Sequence, residues 1–102
     1  APMGPVLVTK DEIENPHNLN LTLKVNGVEK QSSNTKFMLF NINDLIEDLS
    51  IVFTLEPGDI IATGTPAGVG AGRTPQEWMK NGDVVEATVE GIGTIMNTVK
   101  EI

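Results

Sequence analysis

Glu56-Pro57-Gly58-Asp59-Ile60-Ile61-Ala62-Thr63-Gly64-Thr65-Pro66-Ala67-Gly68-Val69-Gly70 sets a turn, an apolar extended run and a Gly/Pro-rich loop in immediate succession. Pro57-Gly58 is turn chemistry, Ile60-Ile61-Ala62 predicts a buried strand, and the residues after it predict a loop whose backbone approaches a small anion closely. Gly64 opens backbone angles closed to other residues, and Pro66 fixes the exit from Thr65. Thr65 then offers a hydroxyl and an N–H at the end of the strand, a grip suited to a carboxylate. The same glycines and prolines also suit a tight turn that binds nothing, and the residues by themselves leave both readings open.

Two phosphate-binding templates fail on this loop. The nucleotide loop Gly-x4-Gly-Lys-Ser/Thr needs a lysine, and none stands between Glu56 and Met79. The dinucleotide pattern Gly-x-Gly-x-x-Gly places Arg73 where a third glycine belongs if it starts at Gly68, and Pro75 if it starts at Gly70.

Outward from the loop, the chain is mostly short strands. Pro5 to Thr9 predicts a strand, Lys10 to Glu14 a charged turn, and Asn15-Pro16-His17-Asn18 a turn-forming cluster. Leu19, Leu21, Leu23 and Val25 alternate with polar residues and run into Asn26-Gly27, which predicts a hairpin over 19–31. Ser32 to Thr35 reads as a polar loop. Leu45, Ile46, Leu49 and Phe53 then recur at helical spacing, predicting a helix over about 43–50, with Asn43 as N-cap, Asp44 in the first turn and an apolar stripe that belongs to a core. Thr74-Pro75-Gln76-Glu77 has the form of a capping box and predicts a second short helix ending by Asn81-Gly82. Val85, Ala87 and Val89 alternate again before Gly91-Ile92-Gly93 turns the chain into residues 94–100. The expected fold is mainly β with two short helices, a sandwich or roll rather than βαβ units.

A chain of 102 residues is one domain at most, burying roughly 60–65% of its unfolded surface when it forms a single core. Seven basic residues against fourteen acidic ones give a net charge of −7. That balance repels nucleic acid and anionic membranes. No apolar run has the length of a membrane span, and the absence of cysteine fits a reducing compartment, so a cytoplasmic setting is the expectation.

Few side chains suggest covalent or metal chemistry. His17, the single histidine, has no acidic partner at fixed spacing and reads as structural rather than as a base. Asp11, Glu12 and Glu14, and again Glu47 and Asp48, read as solvated charge rather than as cation ligands. Ser50 lacks a nucleophile elbow.

Several motifs in fixed order resemble the fumarylacetoacetate hydrolase family across essentially the whole chain. They are Met3 to Thr9, Asn15 to Leu19, Val25-Asn26-Gly27, Gln31 followed by Asn34-Thr35, Leu45-Ile46 with Leu49-Ser50, Thr54 to Gly70, and Glu90-Gly91-Ile92-Gly93. The segment looks most like members labelled 2-hydroxyhepta-2,4-diene-1,7-dioate isomerase or 5-carboxymethyl-2-hydroxymuconate isomerase. The resemblance implies a mixed β-sandwich roll and an enzyme acting on small 2-oxo or 2-hydroxy-dienoic acids. Outcomes in the family are C–C bond hydrolysis, decarboxylation or keto-enol isomerisation through an enolate, with Mg²⁺ or Mn²⁺ as cofactor.

Gly64 and Thr65 match the family's substrate-contacting Gly-Thr, and Asn34-Thr35 match a recurring pair to which only loop-shaping roles are assigned. The family's metal ligands, a Glu-x-Glu pair and a later Asp, have no counterpart here, nor do its catalytic His/Glu pair and lysine. The resemblance therefore implies that residues 1–102 are the C-terminal portion of a single catalytic domain, without catalytic or metal-ligating residues of their own. Such a chain is inactive alone and is completed by an N-terminal half, with a homodimer as the complete form. The alternative is a non-catalytic β-rich binding or assembly module that keeps the fold without the metal ligands.

Overall fold

The computed structural model describes residues 1–102. Four strands, β1 (Asn20–Val25), β2 (Val28–Asn34), β3 (Val84–Val89) and β4 (Gly93–Thr98), form one antiparallel sheet in the order β2-β1-β3-β4. Two hairpins thus lie side by side, joined through their first strands. The expectation of a mainly β chain holds, and no second sheet covers this one.

The hairpin β1–β2 turns at Asn26-Gly27, where φ is 51° and 77°. Positive angles at both central residues match the twist of the flanking strands. Asn26 also joins the two hairpins. Its Nδ2 donates to Asp83 Oδ1 at 2.9 Å, and its Oδ1 accepts from Val84 N at 2.9 Å. Pairing of β1 with β3 sets Leu21 against Val89, Leu23 against Ala87 and Val25 against Val85. Alternation places these side chains on one face and Thr22, Lys24, Glu86 and Thr88 on the other, where Lys24 stands opposite Glu86.

β2 is longer than the sequence suggests, because Ser32, Ser33 and Asn34 pair with β1 rather than looping away from it. Its register shifts between Leu23 and Lys24: Leu23 pairs with Gln31 and Lys24 with Glu29, which leaves Lys30 as a bulge. In a regular strand Lys30 and Gln31 would point to opposite faces. The bulge lets both reach the same neighbouring loop.

One α-helix forms, α1 (Ile42–Val52). Its N-cap is Asn41, not Asn43. Asn41 Oδ1 accepts from the N–H groups of Asn43 at 2.8 Å and Asp44 at 3.1 Å, and Asp44 returns a carboxylate oxygen to Asn41 N at 3.0 Å. The second helix does not form. Glu77, which would complete the box with Thr74, gives its carboxylate to Lys30 instead, and its N–H bonds Gly70 O at 3.0 Å. Two further runs, 5–9 and 60–62, are strand-like in sequence but find no ladder partner. Leu7 is 92% exposed and Ile60 71%. The apolar stripe of α1 is likewise only half-covered, and no hydrophobic residue of the chain is buried.

Candidate functional site

The turn at the start of the loop segment forms as its residues dictate. Asp59 N bonds Glu56 O at 3.0 Å, and Asp59 Oδ2 accepts from Glu56 N at 2.8 Å. Beyond it the chain runs to Gly64, which takes φ of 94°, and then across the bulged edge of β2. Gly68, with φ of 106°, lies so close to β2 that a Cβ there would overlap the Lys30 carbonyl oxygen. Arg73 holds that approach in place by donating to Gly68 O at 3.1 Å and to Lys30 O at 2.6 Å. An edge carbonyl that would otherwise face water or another strand is thereby satisfied. Lys30 completes the fastening through its ion pair with Glu77, whose carboxyl this hydrogen bond and the charges of Lys30 and Arg73 hold below the ordinary value of 4.5.

The loop so fixed walls a cavity of about 410 Å³ together with the end of β2 and the start of α1. That is within the range of small-molecule sites. Gly64 and Thr65 line it, and so do Asn34 and Thr35, which the sequence separates from them by almost thirty positions. Thr35 Oγ1 accepts from Leu19 N at 2.9 Å and donates to Pro16 O at 2.8 Å, so its hydroxyl is committed to shaping the chain. Asn34 is equally engaged: Oδ1 accepts from Lys36 N and Nδ2 donates to Asn20 Oδ1, each at 2.9 Å. Gly64 and Thr65 differ from both. Neither backbone N–H donates to any group of the chain, and the Thr65 hydroxyl takes part only as an acceptor, from Gln31 Nε2 at 2.9 Å. With Thr63, whose N–H and hydroxyl also find no partner in the chain, unengaged donors sit on three consecutive residues at the cavity wall, a neutral arrangement suited to a carboxylate or comparable anion.

Gln31 is the residue that sequence reasoning left without a role. It is 8% exposed and bonds both Thr65 Oγ1 and, at 2.8 Å, Pro66 O. The signal was a glutamine opposite Leu23, on the apolar face of a strand, where an amide needs partners. Gln31 also lines a second, open cavity of about 380 Å³ with Leu23, Val25 and Val85, Trp78 and the Lys30–Glu77 pair.

No Asp, Glu or His lines the first cavity, and nowhere do three such side chains converge as metal ligands would. The residues present do not make a divalent-cation site. His17 lines neither cavity; its backbone N–H donates to Asn15 Oδ1 at 3.0 Å and its ring Nε2 is enclosed without a partner. No helix is long and apolar enough to cross a membrane.

Comparison with known proteins agrees with this architecture. The family model described as fumarylacetoacetate (FAA) hydrolase C-terminal matches residues 1–100. An uncharacterised protein of Staphylococcus haemolyticus is 53% identical over 95 residues, which are 93% of this chain and 32% of that protein. The solved fumarylacetoacetate hydrolase of Exiguobacterium antarcticum is 44% identical with a TM-score of 0.95, covering 99% of this chain and 36% of that one. Maleylpyruvate hydrolase of a Sphingobium species, solved with manganese(II) and pyruvate, is 36% identical with a TM-score of 0.86, over 95% and 34%. A 2-hydroxyhepta-2,4-diene-1,7-dioate isomerase of Mycobacterium marinum is 41% identical with a TM-score of 0.81, again over 95% and 34%. The chain thus spans about a third of the length of the relatives it matches. From its ordered motifs, its sheet and these matches, the chain belongs to the fumarylacetoacetate hydrolase family.

Proposed function

We propose that residues 1–102 form the C-terminal portion of a single catalytic domain and supply the wall that holds the substrate's carboxylate. The substrate class is small 2-oxo or 2-hydroxy-dienoic acids, processed by C–C bond hydrolysis, decarboxylation or keto-enol isomerisation. The observation that carries this reading is the run of unengaged donors at the cavity, among them the N–H groups of Gly64 and Thr65 and the Thr65 hydroxyl. Pyruvate and manganese(II) in the related maleylpyruvate hydrolase support the ligand class and a divalent cation, Mg²⁺ or Mn²⁺, in the complete enzyme. Its ligands lie outside this chain, in the N-terminal half of the domain, and the complete protein is a homodimer. What this chain does is bind and orient: two backbone N–H groups and one hydroxyl face the carboxylate, and the loop's fastening to β2 keeps them in place before the ligand arrives.

Calorimetric titration of pyruvate into the full-length protein, with manganese(II) supplied, tests the reading. Replacing a donor to a charged group should weaken binding, so Thr65→Val is expected to lower pyruvate affinity by roughly 10- to 100-fold. Unchanged affinity would sink the assignment. The 102-residue chain alone, given Mg²⁺ and oxaloacetate or an acylpyruvate, is expected to turn neither over; sustained turnover would show that no other residues are required. The second reading, a non-catalytic binding or assembly module, is favoured by one observation, the cavity's lack of any carboxylate. Metal-dependent turnover by the full-length protein would exclude it.

A further inference from the structure

We propose that Gln31 is a positioning residue that fixes the direction of the Thr65 hydroxyl proton, so that Thr65 meets the ligand only as a donor. The inference rests on the carboxylate reading of the Gly64–Thr65 wall and adds to it a residue that touches no ligand.

The orientation of the Gln31 amide follows from Pro66. A backbone carbonyl accepts hydrogen bonds and cannot donate, so the group 2.8 Å from Pro66 O is the amide nitrogen, and that same nitrogen lies 2.9 Å from Thr65 Oγ1. An amide nitrogen does not accept, so Thr65 Oγ1 is the acceptor in this bond. Its own hydrogen is then excluded from that side and has no acceptor elsewhere in the chain, while Thr65 forms part of the cavity wall. Gln31 is itself immobilised. At 8% exposure it sits on the sheet beside the Lys30 bulge, and both Nε2 hydrogens are used. A hydroxyl polarised in this way is a better donor than a free rotor and carries no reorientation cost on binding.

The site is thereby biased toward an ionised carboxylate over a neutral amide of the same shape, because the donor's bond is stronger to charge. Calorimetry on the full-length protein with manganese(II), using pyruvate and pyruvamide, tests this. Gln31→Glu replaces the donor by an acceptor that draws the Thr65 proton away from the cavity. Pyruvate affinity is expected to fall about tenfold or more, and the preference for pyruvate over pyruvamide to shrink. Adding Gln31→Glu to Thr65→Val should cost less than about a further twofold, since both changes remove one donor. Gln31→Met, neutral and of similar length, should show a smaller loss with the same lack of additivity, and it decides the matter if thermal scans find Gln31→Glu unfolded. Wild-type affinity in the glutamine variants, losses that multiply with Thr65→Val, or equal weakening of pyruvate and pyruvamide would overturn the role of Gln31. If Thr65→Val itself binds pyruvate normally, the carboxylate reading fails first, and the inference falls with it.

Discussion

The Glu77 carboxylate lies on the loop that crosses β2 and receives the ammonium of Lys30 from the bulge. Both side chains retain contact with solvent, at 23% and 46% exposure, so the pair is screened and its direct contribution to stability is small. Its sign with pH is nevertheless definite. The Lys30 hydrogen bond first, then the charges of Lys30 and Arg73, depress the folded-state value of Glu77 below 4.5. A depressed carboxylate stabilises the fold above its unfolded value and loses that stabilisation as pH falls through the folded one. Asp83 behaves alike, its carboxyl lowered chiefly by the hydrogen bond from Asn26. In thermal scans of the full-length protein from about pH 7 to about pH 3, Glu77→Gln should lose less melting temperature than wild type below pH 4.5. High salt should narrow the difference. Identical acid profiles would mean that Glu77 takes no part in fastening the loop.

The elements show where local sequence decides structure and where distant partners do. Asn26-Gly27 is a local signal: both residues tolerate positive φ, the turn follows, and the alternation before it sets the face that carries Leu21, Leu23 and Val25. The β3–β4 hairpin is equally local. For α1 the periodicity is legible but the N-cap lies two residues before Asn43, because Asn41 and Asn43 are the same residue type and only geometry shows which one meets the N–H groups. That yields an expected outcome: Asn41→Ala should destabilise the full-length protein to urea by about 1 kcal/mol, and Asn43→Ala by much less. Equal costs would count against the observed cap. The failed helix after Thr74 has another cause. Its capping residue Glu77 is engaged by Lys30, forty-seven positions away in sequence, and such competition leaves no local mark. The candidate site divides in the same way. The Gly/Pro-rich loop stands out locally and the family resemblance singles out Gly64 and Thr65 within it, whereas Gln31 meets Thr65 and Pro66 only through the fold, where the bulge brings it against them.

Across the whole molecule the balance of surface and core is unusual for this size. The accessible surface is 8153 Å² for 10.9 kDa, against about 5,600 Å² for a folded monomer of that mass. The radius of gyration is 15.3 Å, where about 12.8 Å is typical of 102 residues. The excess of roughly 2,500 Å² is of the order that large permanent interfaces cover. Its chemistry points the same way. No hydrophobic residue is buried, and Leu7, Leu39 and Ile51 are 92%, 90% and 79% exposed. Solvated apolar area on this scale, beside the unpaired edge of β4, favours association over a free monomer. Prepared by itself, the 102-residue chain is therefore expected to form dimers or larger species in light scattering and to bind a hydrophobic dye. Co-expression with the N-terminal half of the domain should suppress both, because the proposed reading makes that half the natural cover of the exposed face. A monodisperse monomer at high concentration, with no dye binding, would show that these apolar groups pack among themselves in solution and would remove the reason for seeking a cover at all.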